Sequence, residues 1–459
     1  MKPVTIILLF LIVLFVGLLF YIKIIPAINI GLGYAAKTAC SSVYLSGRDL
    51  EDVVNEDIKN SAAAIATVSV NTNNKTSTAS FLGLKRTAVY RKGMGCTLVS
   101  KNTVEAVSTL ASLKKINKPY DGFWNIEKTN YDSLFANVNF KQLNKAFTYA
   151  FEEKALDSPR NTRAALVIYK GKLLKEQYGK GISNETPLLG WSMTKSVINA
   201  LCGILVKEGV LNLEETINFE EWQVDKRANI TLNQLLQMNS GLYFKEDYSI
   251  ASSVNEMLWL ENDCAKYALN KKLIHKPGTF WSYSSGTSNI ISYLIKTKFN
   301  TEKAYLEFPY KKLFEPLGMN SATMETDATN TYIGSSFMYA TGRDWAKFGL
   351  LYLQNGIFNN KQILPEGWVA YSSKRNEVSK HSAYAAHFWK NATEPTTTFE
   401  NNQYWPTLPE DLFYASGYEG QNIVIIPSKE LVVVRLGQTR NRKNWDMGLF
   451  VGEVLKALE

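Results

Sequence analysis

The sequence predicts an α+β fold, in which helices flank an antiparallel β-sheet and form a further helical subdomain. Two observations lead to this prediction: strand-like hairpins lie near both ends of the main body, and segments with helical periodicity lie between them. A third observation, an apolar stretch without charges over residues 3–22, adds an N-terminal transmembrane helix. The chain has 459 residues, which exceeds the usual range of a single compact unit.

The composition excludes several classes of protein. Hydrophobic residues make up 46% of the chain and charged residues 20%, which excludes a disordered chain or a coiled coil as a description of the whole. The net charge of +9 is spread along the chain without a basic tail, so no nucleic-acid partner is expected. No zinc motif, Walker loop or dinucleotide fingerprint is found in the sequence.

Residues 1–25 are predicted to be a membrane anchor. The uncharged residues 3–22 are numerous enough, as a helix, to cross a hydrocarbon core of about 30 Å, and Lys2 and Lys23 flank them. With the basic amino terminus inside, the rest of the chain would face the periplasmic or extracytoplasmic side of a bacterial inner membrane. A cleaved signal peptide is the alternative, although its apolar region is usually shorter.

Residues 26–135 are predicted to form a membrane-proximal region. Residues 71–80 are polar and rich in turn formers, and we interpret them as a break between two strand-like stretches. Cys40 follows the anchor, and Cys96 lies in a strand-like stretch. Because the predicted compartment permits disulfides, we suggest that Cys40 pairs with Cys96, although four cysteines allow three pairings.

Residues 136–459 are predicted to be the main domain. One hairpin covers residues 164–178, with a turn at Gly171, and a second covers residues 422–436. Cys202 and Cys264 fall in helical stretches, where buried free thiols are expected. Apolar periodicity predicts helices over residues 193–207, 231–238, 289–296, 304–314, 343–353 and 446–458.

The residues that could carry chemistry begin with Ser192 and Lys195, at the start of the helix predicted over residues 193–207. A spacing of three residues places the hydroxyl and the amine on one helix face. Serine needs a nearby base to become a nucleophile, and lysine can serve when burial disfavours its charged form. Chance matches to S-x-x-K are common, so a capping serine beside a solvated lysine is the alternative interpretation.

Two downstream segments add to this pair. Tyr283 lies in a hydroxyl-rich loop and could relay a proton, although an aromatic plug is the alternative interpretation. Gly417 and Gly420 lie where the last hairpin begins, and such glycines allow a ligand to approach the backbone closely. A backbone N–H group there could stabilise an oxyanion, whereas the alternative is a bulged turn.

Together these segments resemble the motifs of the penicillin-recognising serine hydrolases. Ser192-x-x-Lys195, then Tyr283-Ser284-Ser285, then a glycine-rich segment follow the order of that family. The chain is most similar to the branch related to class C β-lactamases, which includes esterases, D,D-peptidases and 6-aminohexanoate-dimer hydrolases. The resemblance extends from about residue 160 to the end of the chain and implies an antiparallel sheet flanked by helices. It implies neither a metal nor an organic cofactor.

The resemblance also implies roles for single residues. Ser192 would be the acylated nucleophile, Lys195 would activate it, and Tyr283 would protonate the leaving group and help to activate the deacylating water. The backbone N–H of Ser192 would form an oxyanion hole with an N–H of the glycine-rich segment. Contacts to the substrate or its oxyanion are expected from Ser285, Gly417, Tyr418, Glu419, Gly420 and Gln421.

Two departures from class C β-lactamases favour an amide or ester over a β-lactam. Ser285 stands where their Y-x-N motif has asparagine, and the segment in place of their K-T-G motif has no lysine to bind a β-lactam carboxylate. Glu419 could instead bind a cationic group of the substrate, and residues 243–248 and 383–389 are candidate substrate-facing loops. The sequence thus predicts a membrane-anchored hydrolase of a small amide or ester. A D,D-peptidase or β-lactamase is one alternative, and a catalytically silent binding module is the other.

Overall fold

The computed structural model describes residues 20–113, 135–153, 158–248, 252–379, 383–394 and 404–459, together with Thr5 and Trp124. Its α-helices are α1 (Ile25–Tyr44), α2 (Leu50–Val53), α3 (Val104–Ser108), α4 (Phe140–Phe151), α5 (Met193–Lys207), α6 (Leu232–Leu236), α7 (Ser253–Leu260), α8 (Cys264–Leu269), α9 (Ser285–Thr297), α10 (Glu302–Pro309), α11 (Glu315–Leu317), α12 (Gly342–Leu353), α13 (Trp368–Ser373) and α14 (Met447–Leu455). Its strands are β1 (Thr67–Asn71), β2 (Thr76–Phe81), β3 (Leu84–Arg91), β4 (Gly95–Val99), β5 (Thr162–Tyr169), β6 (Lys172–Tyr178), β7 (Leu188–Leu189), β8 (Thr323–Met324), β9 (Met338–Ala340), β10 (Ile357–Phe358), β11 (Lys361–Gln362), β12 (Trp389–Lys390), β13 (Phe413–Gly417), β14 (Gln421–Ile426) and β15 (Leu431–Gly437).

The chain folds into two compact units. The first unit consists of Met1–Ser112, Phe244–Ala268 and Thr326–Thr331, and the second consists of Leu113–Tyr243, Leu269–Glu325 and Tyr332–Glu459. The first unit is therefore discontinuous in sequence. Two of its segments come from the part of the chain that the sequence analysis assigned to the main domain.

In the first unit, helix α1 lies on the antiparallel sheet β1-β2-β3-β4. The buried side of α1 carries small residues, among them Ala35, Ala36 and Ala39, which let the helix approach the strands closely. Cys40 of α1 and Cys96 of β4, the pair suggested from the sequence, are joined by a disulfide. Disulfides persist in oxidising compartments, so this bond favours the extracytoplasmic location, which stays a prediction.

Residues 71–80 are not a break between strands, so this prediction is wrong. Only residues 72–75 form a turn, and β2 follows and pairs with both β1 and β3. The strand is polar because its short side chains form hydrogen bonds with side chains of a neighbouring strand. The hydroxyl groups of Thr78 in β2 and Thr87 in β3 are 3.0 Å apart. Such cross-strand hydroxyl pairs stabilise a sheet whose strands lack a long apolar run. A strand was expected from the sequence only where such a run occurs, so β2 was missed.

The predicted transmembrane helix is the part of the fold prediction that is wrong. In the part of the chain that the structure describes, no helix is both long enough and apolar enough to cross a bilayer. Most of residues 3–22 lie outside the described residues, and α1 begins only at Ile25. A run of uncharged residues meets the length requirement of a bilayer, but length and apolarity alone do not establish that a segment crosses one.

The predicted α+β fold is confirmed in the second unit. Strands β12-β13-β14-β15-β5-β6 form one antiparallel sheet in that order, because β15 of the second hairpin pairs with β5 of the first. Helix α12 lies on one face, close enough that a Cβ on Gly349 would be 2.6 Å from Val432. Helices α4 and α14 share a hydrophobic core with the other face. Both faces are covered, which explains the nearly continuous apolar runs of the central strands.

Candidate active site

Ser192 stands at the amino terminus of α5, but its hydroxyl does not cap the helix. The preceding turn is tight: Trp191 has φ 47°, and a Cβ on Gly190 would lie 2.3 Å from the Trp345 ring. The Trp191 ring packs edge-on against Tyr418, with ring centroids 5.8 Å apart. This turn presents the serine Oγ to another partner, so the capping interpretation of Ser192 is wrong.

That partner is Lys195, one helical turn further along α5. Its side chain is 2% exposed, and its Nζ lies 3.0 Å from the Ser192 Oγ. The same Nζ lies 3.0 Å from the Ser285 Oγ and 2.9 Å from the Ser335 carbonyl oxygen. A solvated lysine is therefore excluded, and the buried amine is surrounded by hydroxyl and carbonyl oxygens.

Tyr283 reaches the same place from the hydroxyl-rich loop. The Lys195 Nζ lies 4.9 Å from the centroid of the Tyr283 ring. Tyr283 is 9% exposed, and its ring packs against Trp389 and Tyr384 at centroid distances of 5.3 and 5.9 Å. The loop is fixed by backbone bonds, one of which runs from the Ser282 N–H to the Met238 carbonyl (2.9 Å). The two motifs that are ninety residues apart in sequence are thus neighbours in space.

The two serines after Tyr283 have different tasks. The Ser284 hydroxyl caps helix α9 by accepting a bond from the Thr287 N–H at 3.1 Å. Ser285, the first residue of α9, directs its hydroxyl to Lys195. Ser285 therefore contacts the amine, whereas the sequence analysis expected it to contact the substrate or its oxyanion.

The third predicted segment meets the Ser192 turn through its first glycine. A Cβ on Gly417 would lie 2.2 Å from the Gly190 carbonyl oxygen, so only glycine fits where β13 ends. Tyr418 follows and contacts Trp191, as described above. The backbone of this segment is thus held against the turn that carries the serine.

The remaining side chains of the segment have partners within the protein. Glu419 is 5% exposed and lies 3.1 Å from the Arg440 guanidinium. The Gln421 amide donates to the Tyr418 carbonyl at 2.9 Å and accepts from the Gly437 N–H at 2.9 Å. Arg440 already balances the charge of Glu419, so the expectation that Glu419 binds a substrate cation loses its basis.

His387 is a residue of this site that the sequence analysis did not name. It is 2% exposed, its Nε2 lies 2.9 Å from the Ser288 Oγ, and its carbonyl accepts a bond from Ser196, the neighbour of Lys195. Burial and the nearby Lys195 charge hold the pKa of His387 well below its usual range. It lies in residues 383–389, which are all buried, and a role of this range in facing the substrate stays a prediction.

His387 makes acid stability a test of this packing. The neutral imidazole is favoured in the folded protein, whereas the unfolded chain takes up a proton below about pH 6.5. Stability is therefore complete above that pH and is lost as the pH falls, by about 1.4 kcal/mol per pH unit for one proton. We expect His387→Gln to make the decline between pH 6.5 and 5 shallower, measured by urea unfolding of both proteins. Parallel curves would contradict this assignment.

Among the residues that the structure describes, no three His, Cys, Asp or Glu side chains cluster as metal ligands would. The groups that do converge are a serine hydroxyl, a lysine amine and a tyrosine, with a strand end held against the serine turn. Nucleophilic acyl transfer requires a nucleophile, a base, a proton donor and backbone donors for an oxyanion, and groups of these types are able to supply them.

Comparisons with known proteins agree with this chemistry. The family model described as Beta-lactamase matches residues 151–448. The 6-aminohexanoate-dimer hydrolase of Paenarthrobacter ureafaciens is 22% identical over 321 residues, which is 65% of this chain and 79% of that protein.

Solved structures show the same fold. One is EstCE1, a hydrolase with promiscuous acyltransferase activity, with a TM-score of 0.53 and 14% identity over 70% of this chain and 99% of that one. Another is a family VIII carboxylesterase, with a TM-score of 0.51 and 14% identity over 70% of this chain and 96% of that one.

Proposed function

This chain belongs to the β-lactamase family and is an enzyme of the serine hydrolase type, and we propose that it cleaves a small amide or ester through an acyl-enzyme formed on Ser192. The observation that carries the proposal is the buried Lys195 amine, 3.0 Å from the Ser192 Oγ. Burial disfavours the charged ammonium, so a buried lysine can act as a base, whereas an exposed lysine stays protonated.

Acylation follows from the contacts of Lys195. In its unprotonated form, the amine can donate to the Ser285 Oγ and the Ser335 carbonyl, and its lone pair is then left for the Ser192 hydroxyl proton. The Ser192 Oγ attacks the substrate carbonyl carbon as its proton moves to Lys195. The resulting oxyanion would accept bonds from the Ser192 N–H and an N–H of residues 417–421.

Collapse of the tetrahedral intermediate breaks the C–N or C–O bond and leaves the acyl group on Ser192. The leaving amine or alcohol takes up a proton, for which Tyr283, packed beside Lys195, is the proposed donor. A water molecule then adds to the acyl-enzyme and gives up its proton to the same groups. The carboxylic acid departs, and the Ser192 hydroxyl is restored.

Residues 417–420 bear on the class of substrate. They have no lysine to bind the carboxylate of a β-lactam, and the Glu419 side chain is buried against Arg440. Relatives named as a 6-aminohexanoate-dimer hydrolase and a carboxylesterase support an amide or ester substrate. These points favour a simple amide or ester over a β-lactam or a peptidoglycan peptide.

Covalent labelling tests the proposal. The full chain would be incubated with a fluorophosphonate probe or with a fluorescent penicillin, and the modified residue located by peptide mass spectrometry. We expect the fluorophosphonate to modify Ser192, and Ser192→Ala to lose both labelling and hydrolysis of p-nitrophenyl esters. Ser373→Ala removes a remote helical serine and should keep both activities.

Other outcomes decide against the proposal. Penicillin labelling of Ser192 that is as fast as fluorophosphonate labelling would favour a penicillin-binding or β-lactamase role. Ester hydrolysis that survives in Ser192→Ala would contradict the acyl-enzyme mechanism altogether.

A further inference from the structure

Arg435 is a buried cation in an otherwise apolar strand. It lies in β15, flanked by Val434 and Leu436, and its side chain is 0% exposed. Removing a guanidinium from water is costly unless each of its N–H groups finds a partner. A residue of this kind in a core strand therefore calls for a specific reason.

Its hydrogen bonds point to that reason. The Arg435 Nη1 donates to the backbone carbonyls of Glu419 (3.0 Å) and Gly420 (3.1 Å), both within the segment predicted to bind the oxyanion. The Nη2 donates to the Arg160 carbonyl and the Thr439 Oγ1, each at 2.7 Å. The Nε and the Nη2 also donate to the Thr162 Oγ1, at 3.2 and 3.0 Å. Among the described residues, all these partners are neutral oxygens, and two of them are backbone carbonyls of the turn.

The turn that Arg435 holds has an unusual backbone conformation. Glu419 and Gly420 have φ values of 63° and 88°, a region in which residues other than glycine are strained. A Cβ on Gly420 would lie 2.7 Å from the Arg435 Nη1, so the turn rests directly on the guanidinium. The Thr439 N–H also donates to the Glu419 carbonyl at 3.0 Å. These bonds hold the main chain of two consecutive left-handed residues, whereas Arg440 and Gln421 contact the turn at other atoms.

The direction of these carbonyls affects the N–H groups. In a trans peptide the C=O and N–H groups point in opposite directions, so a carbonyl held toward Arg435 turns the N–H of the same peptide away from it. A hydrogen bond to the carbonyl also polarises that peptide and strengthens its N–H as a donor. The guanidinium thus orients and polarises the turn that follows Gly417.

We propose that Arg435 is a positioning residue for acyl transfer, which fixes residues 417–421 so that their backbone N–H groups meet the oxyanion formed at Ser192. This inference rests on the proposed function. Arg435 touches no substrate and acts only through the turn. The alternative is a purely structural role, in which Arg435 stabilises the sheet but has no separate effect on catalysis.

The test compares Arg435→Met and Arg435→Lys with Arg343→Met. Arg343 is partly buried and bonds to Glu176 instead of the turn, so its loss controls for general destabilisation. Active enzyme would be titrated with a fluorophosphonate, and kcat and KM for a p-nitrophenyl ester measured per active site. The affinity for phenylboronic acid, which forms a tetrahedral adduct on serine, would be measured in parallel.

We expect Arg435→Met to lower kcat about 10- to 100-fold, with KM changed less than threefold and a similar loss of boronic acid affinity. Arg435→Lys should recover part of the loss, and Arg343→Met should keep the kcat of the wild type. If Arg435→Met does not fold, Thr439→Val, which removes one anchor of the guanidinium, should lower kcat less but in the same way.

Two results would overturn the inference. One is a variant with fewer active sites but a normal kcat per site, which indicates a structural role alone. The other is an unchanged kcat in Arg435→Met and Arg435→Lys or, where Arg435→Met does not fold, in Thr439→Val. Failure of the proposed function is distinguishable, because in that case the wild-type protein itself would not be labelled at Ser192.

Discussion

Replacing Lys195 by methionine should lower kcat/KM for an ester substrate by about 10³-fold or more, which corresponds to the loss of a general base. The amine is buried against the Ser192 Oγ, the Ser285 Oγ and the Ser335 carbonyl, so the methionine variant loses the basic group that contacts the nucleophile. Lys195→Arg should be nearly as inactive, because a guanidinium does not give up its proton in a protein. Steady-state kinetics with p-nitrophenyl esters measure both effects.

The matched control lies on the same helix. Lys207 is exposed at the other end of α5, so Lys207→Met changes the same residue type without touching the site. We expect it to keep the wild-type rate. A Lys195→Arg enzyme with near-normal rates would remove Lys195 as the base, whatever the methionine variant does.

Replacing Gly417 by alanine should lower kcat by about 100-fold, although the change adds a single methyl group. The new Cβ would lie 2.2 Å from the Gly190 carbonyl oxygen and 3.0 Å from the Gln421 Cβ, so β13 must move away from the serine turn. Overpacking of this kind costs about 1–3 kcal/mol of stability. Kinetics and chemical denaturation of the purified variant measure the two effects separately.

Gly452→Ala controls for the added methyl group. Gly452 lies in α14, and the nearest atom to its new Cβ would be the Leu408 Cδ2 at 3.8 Å. Alanine is the better helix former, so this variant should be as active as the wild type and slightly more stable. If Gly417→Ala retains full activity, the close approach of the strand to the Ser192 turn has no role in catalysis.

The local elements of the second unit could be predicted because their patterns are strong. Helix α5 begins and ends at the predicted residues, and both predicted hairpins are present as β5-β6 and β14-β15. Their long apolar runs and defined turns leave little choice of structure. In the first unit, the polar strand β2 was missed. Its threonines and serines are residues that are also common in turns, and only their cross-strand partners identify them as part of a sheet.

The catalytic candidates could be found from sequence motifs, but the contacts that each side chain makes could not. Ser192, Lys195 and Tyr283 were named from the sequence, and the structure brings all three together. That Ser285 contacts the lysine and that Glu419 pairs with Arg440 depends on where distant segments meet. His387 had no sequence signal, because a lone histidine has no neighbours until the chain is folded.

The sequence by itself determined the family, the α+β class and the identity of the serine, lysine and tyrosine, because these depend on residue types at short spacings along the chain. The tertiary structure alone decided which side chains contact the buried amine and which side chain binds the carbonyls of the 417–421 turn. It also decided that the first unit takes two segments from beyond residue 240. These are contacts between residues far apart in sequence. Such contacts are selected by packing and by the need to satisfy each buried polar group, and no local pattern encodes them.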